Sequence, residues 1–232
     1  MIRQWETLPD YMQNIYVKPY YESLTRKKSG LRLKRAMDLF LALILAIVLS
    51  PVMVGVALWI KLDSRGPVFY RQERITRYGK PYRIFKFRTM VADADRRGPL
   101  VTEKQDSRIT RAGKFLRKCR LDEIPQLLNV IAGDMSFVGT RPEVGKYVGQ
   151  YEEEMYATLL LPAGITSRTS IIFKDEDVLM EKYLQETKKT VDEVYVEYIL
   201  PVKMTYNLQY LRDFSFWGDI KVMLDTVFAV IR

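Results

Sequence analysis

Histidine is absent from this 232-residue chain, and that absence removes whole classes of chemistry. Ser-His-Asp and Cys-His nucleophilic catalysis are excluded, as is every metal site built on imidazole. Any chemistry must run on carboxylates, cations or hydroxyls. Cysteine is nearly absent as well: a lone Cys119 forms no internal disulfide and suits a reducing compartment. A helical reading of residues 111 to 120 sets it beside Ala112, Phe115 and Leu116, as a buried structural thiol rather than a nucleophile. Neither the GxGxxG fingerprint nor a P-loop occurs, so dinucleotide folds and P-loop ATPases lose their main support. Phosphate must be met by side chains and helix ends. Internal repeats, zinc-ligand spacings and low-complexity tracts are also missing.

Apolar residues are plentiful, at 48% of the chain, enough for a substantial core. Lysine and arginine outnumber aspartate and glutamate 37 to 28, and the resulting charge of +9 favours an anionic partner: nucleic acid, a phospholipid surface or a phosphorylated substrate. Between Leu39 and Ile60 the chain runs 22 residues without a charge. As helix that is roughly 33 Å, enough to cross a bilayer core. Ser50-Pro51 lies at its centre, where proline removes a backbone donor and forces a kink or break, and the Ser50 hydroxyl is placed to satisfy a freed carbonyl. Arg26, Lys27, Lys28, Arg32, Lys34 and Arg35 precede the run, and Lys61, Arg65, Arg71, Arg74 and Arg77 follow it. The positive-inside rule therefore assigns both ends to the cytoplasm. A re-entrant hairpin satisfies both flanks and a kinked span violates one; the residues alone leave both topologies open.

Past Gly66-Pro67, the alternation in PVFYRQERI and YRIFKFRTM around the turn-like RYGKP predicts a β-hairpin, with Lys86 and Arg88 on the second strand's C-terminal half. Residues 91–107 read as a polar binding loop or lid. From Ile109 to Cys119 one helical face is apolar and the other carries Arg111, Lys114, Arg117 and Lys118. Next comes the adjacent pair Asp122-Glu123. By default such a pair is a solvated helix start, but this one sits among cations and precedes Ile124, Leu127, Leu128 and Ile131 at helical spacing, with Pro125 in the first turn and Gly133 at the stop. A helix N-terminus favours anions, including a phosphate. Residues 175–198 read as acidic, largely solvated helix. The tail from Ser215, a plausible N-cap, presents Phe216, Ile220, Met223, Leu224, Val227 and Ile231 to the core or to a membrane interface.

Taken together, KRAMDLFLALILAIVLSPV, GPVFYRQERI, FKFRTM, DSRITRAGKFLRKCRLDEIPQLLNVIAGDMSFVGTRP and FSFWGDIKVMLDT resemble the bacterial sugar transferase family. These are small monotopic phosphoglycosyl transferases acting on polyprenyl phosphate. The resemblance covers about residues 32–232 and is densest over 106–142. It implies an α+β, mostly helical fold in three parts: an N-terminal extension over 1–31 whose role is not legible, a re-entrant membrane helix over 32–63 broken at Ser50-Pro51, and a cytosolic catalytic domain over 64–232 with a small β-hairpin and amphipathic interfacial helices. It implies a bacterial cytoplasmic membrane location with the catalytic domain facing the cytoplasm, and a homodimer as an expectation from relatives.

The resemblance further implies transfer of a sugar-1-phosphate from a UDP-sugar to undecaprenyl phosphate, with release of UMP, at the start of surface glycan assembly. Asp122 would be the nucleophile and Glu123 the Mg²⁺ ligand. Aspartate ionises without a general base, which suits a chain lacking histidine. Its approach to a diphosphate is opposed by about 1 kcal/mol per charge pair at 4 Å in water, or about 4 at an effective dielectric of 20. A cation is therefore needed, and Mg²⁺ takes hard oxygen from one or two carboxylates plus substrate phosphate. Lys86, Arg88, Arg117 and Arg141 are the candidate phosphate-binding cations. Asn129 and Asp134 also match family positions, and both read as structural. The chain departs from the family at Thr140 in VGTRP and over PAGITSRTSIIFK, where the family's downstream arginine motif is missing; Arg168 is the candidate replacement. Nucleic acid is not expected, because the cations gather near the membrane run and the dyad rather than around aromatic platforms. A noncatalytic membrane scaffold of the same fold is the remaining alternative.

Overall fold

The structure, a computed structural model, describes residues 2–94, 106–173 and 176–231. Helix α1 (Lys18–Arg26) leads into α2 (Lys28–Val48), which meets α3 (Ser50–Asp63) at a 60° bend. Pro51 explains the bend, since it has no N–H for the Ile47 carbonyl four residues earlier. The Ser50 hydroxyl donates to that carbonyl instead, over 2.7 Å. Among the described residues no single helix is long and apolar enough to cross a membrane, while the bent pair together passes by length and composition. Its outer surface is apolar and open, with Phe40, Ile47, Val54, Leu58 and Leu62 exposed.

Strands β1 (Phe69–Ile75) and β2 (Pro81–Phe87) form the expected antiparallel hairpin, with Phe69 opposite Phe87 and Ile75 opposite Pro81. Helix α4 (Arg111–Lys118), a 3₁₀ turn at Leu121–Gln126 and α5 (Leu127–Ala132) follow in succession. Gly133, at φ 86°, ends α5 in the left-handed conformation that glycine adopts without a Cβ clash. Strand β3 (Met135–Val138) pairs in parallel with β4 (Ala163–Thr166), and α6 (Gly145–Val148) falls between them in sequence. The remainder is helical: α7 (Arg168–Ile172), α8 (Glu176–Glu186), α9 (Val191–Val194), a π turn at Tyr195–Ile199, α10 (Leu200–Arg212) and α11 (Phe216–Ile231).

Packing explains why the bend matters. On one arm, Ala42 of α2 is buried with Ile84 of β2 and with Leu127 and Val130 of α5. On the other, Val56 and Ile60 of α3 are buried with Leu116 of α4 and Phe87 of β2. The segment linking α4 to α5 carries Asp122 and Glu123, so the dyad is held between helices that dock on opposite arms of the bent pair. Asn129 ties α5 to the hairpin: its amide accepts from Phe85 N at 2.8 Å and donates to the Arg83 carbonyl at 3.0 Å. Asp134 accepts from Lys80 at 3.0 Å.

Several expectations change. The dyad helix begins not as α-helix but as a 3₁₀ turn with Pro125 inside it. Residues 176–198 are helical and largely solvated as expected, but Met180, Val194 and Tyr195 are buried against Val144, Tyr147 and Met155. Cys119 is half-buried at the C-cap of α4, where the helix stops at Lys118; Phe115 is exposed and lies 5.4 Å from the Trp59 ring. Lys34, one of the cations flanking the apolar run, is 4% exposed, pairing with buried Asp219 of α11 at 2.6 Å and donating to the Val138 carbonyl. Arg35 likewise donates to the Val130 and Ile131 carbonyls at the end of α5. In α11, capped by Ser215 as expected, Val222 and Asp219 turn inward while Trp217, Leu224, Val227 and Phe228 are exposed. The N-terminal extension is part of the core: Met12, Val17, Tyr20 and Leu24 pack with Leu160, Leu208 and Leu211. Most of the loop expected over 91–107 lies outside the described residues.

Candidate active site

Helix α4 delivers the chain to Arg120, whose φ of 56° lies in the left-handed region that a non-glycine residue adopts at a cost. That reversal starts the 3₁₀ turn and brings Asp122 and Glu123 to the wall of a cavity of about 720 Å³. The same wall receives Lys86 and Arg88 from the end of β2, Arg117 from α4, Arg120 itself, and Arg141 from the segment after β3. A doubly negative pair thus faces five cations brought together from four parts of the chain.

The two carboxylates differ in environment. Asp122 is 8% exposed, and burial pushes its carboxyl above the usual range against the pull of Lys86, Arg117 and Arg120. Burial acts the same way on Glu123, but Lys86, Arg141 and Arg120 together override it and hold that carboxyl at about 2. Lys86 donates to Glu123 Oε1 at 2.8 Å, and Arg141 Nη2 stands 4.0 Å from the same oxygen. Glu123 is therefore the permanently ionised member. Asp122 is the desolvated, more basic one.

Arg88 is 5% exposed and anchored at one end, where Nη2 donates to the Ser64 carbonyl at 2.7 Å and to its hydroxyl at 2.8 Å. Its Nε and Nη1 are buried with no hydrogen-bond partner among the described residues. Gly66 makes room for it: at φ 128°, a Cβ there would stand 2.0 Å from Arg88 Nη1. Arg117 donates from Nε to the Thr89 hydroxyl at 2.9 Å. Arg168 is not brought to this cavity; it is exposed at the start of α7, and its neighbours Thr169 and Ser170 line the wall instead.

Sequence reasoning passed over Arg120, although the basic run before the dyad was a signal for it. It also passed over Glu143, Glu176, Tyr195 and Lys203, which line the cavity as well. Those four lie in stretches with no motif of their own, and only the fold unites them.

Among the described residues no three carboxylate or thiol side chains gather into a closed metal cage. The donor set still fits Mg²⁺: two adjacent hard-oxygen side chains open onto a cavity, and this ion is commonly held by one or two carboxylates and completed by phosphate and water. Lys86 and Arg141 both approach Oε1 of Glu123, and the carboxylate has a second oxygen to offer.

A family model described as bacterial sugar transferase matches residues 29–232. The chain belongs to the bacterial sugar transferase family. Within that family, a UDP-N-acetylgalactosamine-undecaprenyl-phosphate N-acetylgalactosaminephosphotransferase of Aeromonas hydrophila is 32% identical over 203 residues, covering 86% of this chain and 44% of that protein. A UDP-glucose:undecaprenyl-phosphate glucose-1-phosphate transferase of Escherichia coli (strain K12) is 34% identical over 221 residues, 94% of this chain and 44% of that one. A relative of the same name in Caulobacter vibrioides is 34% identical over 199 residues, 84% of this chain and 68% of its own length. The chain thus spans less than half the length of the first two relatives, and this sugar transferase chain aligns with part of each.

Proposed function

We propose that the protein is a phosphoglycosyl transferase that moves a sugar-1-phosphate from a UDP-sugar to undecaprenyl phosphate, releasing UMP and starting a surface polysaccharide or glycoconjugate. The observation that carries this reading is the buried Asp122 beside ionised Glu123, on a cavity wall with Lys86, Arg88, Arg117, Arg120 and Arg141, in a chain of the bacterial sugar transferase family. A carboxylate stripped of water is more basic and more nucleophilic. In the first half-reaction an Asp122 oxygen bonds to the β-phosphorus of the UDP-sugar while the bond from that phosphorus to the bridging oxygen breaks, and UMP leaves with the electron pair. A phosphate oxygen of undecaprenyl phosphate then bonds to the same phosphorus, and Asp122 departs as a carboxylate.

Arg88, with donors to spare on Nε and Nη1, is one phosphate-binding guanidinium group, and Arg117 and Arg141 are the others. Lys86 serves through Glu123, keeping it ionised. Glu123, with Asp122 adjacent, would hold Mg²⁺, which when bound neutralises charge on the phosphates. The bent α2–α3 pair enters the cytoplasmic leaflet as a re-entrant hairpin and returns to the cytoplasmic side, which places the dyad near a lipid-borne phosphate; the open apolar faces of the pair and of α11 support this seating. UMP release in nanodiscs, with undecaprenyl phosphate, Mg²⁺ and a panel of UDP-sugars, tests the reading. Turnover of at least one sugar, lost in Asp122→Asn, is expected; release of UMP from none of them would overturn it.

A further inference from the structure

The cavity has a second wall of different chemistry, made of Glu143, Tyr195, Lys203 and Glu176. Tyr195 donates to Glu143 Oε1 at 2.8 Å, and Lys203 Nζ donates to the Tyr195 hydroxyl at 2.7 Å. Lys203 also pairs with Glu143 at 3.2 Å and with Glu176 at 3.4 Å. Glu143, Tyr195 and Lys203 are at most 5% exposed. We propose that this network is the subsite that reads the hydroxyl groups of the donor sugar, an assignment that rests on the transferase reading above.

Charge separates the two walls. The dyad wall is rich in guanidinium groups and suits phosphate, whereas the other side sets Glu143 and Glu176 against Lys203, with Arg141 between the two walls, and its carboxylates offer acceptors to neutral hydroxyls. Both bonds to Glu143 fall on Oε1, and a carboxylate has a second oxygen. Reach then selects the sugar over the uracil. Arg141 stands 4.0 Å from Glu123, and Glu143 is two residues further on, so their Cα atoms are within about 7 Å of each other. The sugar is bonded directly to the β-phosphate that meets Asp122, whereas the uracil lies beyond the α-phosphate and the ribose.

The network also sits at a helical irregularity. Tyr195 opens a π turn, a widened helical turn often found at functional sites, and its ring lies 4.4 Å from that of Tyr147. Buried ion pairs are poor stabilisers compared with well-packed apolar residues, so a cluster of this kind on a cavity wall points to recognition.

Calorimetric binding of UDP and of UDP-glucose, UDP-galactose and UDP-N-acetylgalactosamine to the full chain in nanodiscs, beside UMP release, tests the assignment. Tyr195→Phe keeps the ring and removes one hydroxyl. Glu176→Gln alters a side chain that is 26% exposed and keeps the test available should Tyr195→Phe weaken the fold. Each variant is expected to weaken the preferred UDP-sugar roughly tenfold or more and to narrow its lead over the other sugars, with UDP affinity held within about twofold. Equal weakening of UDP and UDP-sugar would seat the nucleotide here and overturn the proposal, as would unchanged ratios among the sugars. UMP release by the wild-type protein from none of the three would refute the transferase reading itself, a result that the binding ratios keep distinct.

Discussion

Asp122 and Glu123 are neighbours in sequence with opposite proton affinities, and the sign of each shift makes a prediction about stability. Glu123 falls from its usual 4.5 to about 2, so its ion pairing stabilises the fold above pH 4.5 and is lost as pH drops toward 2. Asp122 is shifted upward, so its contribution favours the fold at low pH and is lost as pH rises through its folded value; at neutral pH its buried charge is a cost. In metal-free buffer at pH 7, Asp122→Asn is expected to raise the melting temperature while abolishing turnover. Glu123→Gln, which leaves Lys86 and Arg141 facing a neutral amide, is expected to lower stability by about 2 kcal/mol, or roughly 5 °C. Differential scanning calorimetry of both variants checks this; a destabilised Asp122→Asn would show the charge to be well compensated. The dyad and four of its cations, all but Arg120, were legible because they sit in one dense motif or at the end of a predicted strand. Their unequal titration was not, since it depends on Lys86 arriving from β2 and Arg141 from beyond β3.

At the scale of elements, the position of Lys86 depends on how β2 is held. Asn129 satisfies both Phe85 N–H and the Arg83 carbonyl, so Asn129→Ala orphans two backbone groups beside the dyad. A loss of about 2 kcal/mol or more in urea denaturation is expected, with turnover falling because Lys86 shifts; a neutral result would remove Asn129 from the account. The hairpin, the glycine stop of α5 and the Ser50-Pro51 bend were all readable, because each rests on local chemistry: alternation, a left-handed C-cap and a missing N–H. The 3₁₀ start at Leu121 and the burial of Met180, Val194 and Tyr195 were not. Those outcomes are set by Arg120 in the left-handed region and by apolar partners such as Val144 and Met155, which local periodicity does not reveal.

For the whole molecule, the proposed membrane topology rests on the bent pair and the N-terminal extension. Tyr20 and Leu24 pack with Leu160 and Leu211, contacts across more than a hundred residues that no reading of the extension alone supplies. Because the extension shares a core with the body, residues 2–27 and 65–231 belong on one side of the membrane if the pair re-enters. Cysteine labelling in intact cells and spheroplasts is expected to protect both from outside reagent; labelling of the extension alone would establish a span instead. The bend made both topologies readable from sequence, and the labelling decides between them. Mass spectrometry of the Asp122 peptide, after reaction with the turned-over UDP-sugar in the absence of undecaprenyl phosphate, decides whether Asp122 carries the sugar phosphate. A phosphosugar adduct on Asp122 is expected, with UMP released in equal amount and the adduct discharged on adding undecaprenyl phosphate. UMP release by a correctly folded Asp122→Asn protein, or turnover with no adduct on Asp122, would contradict it.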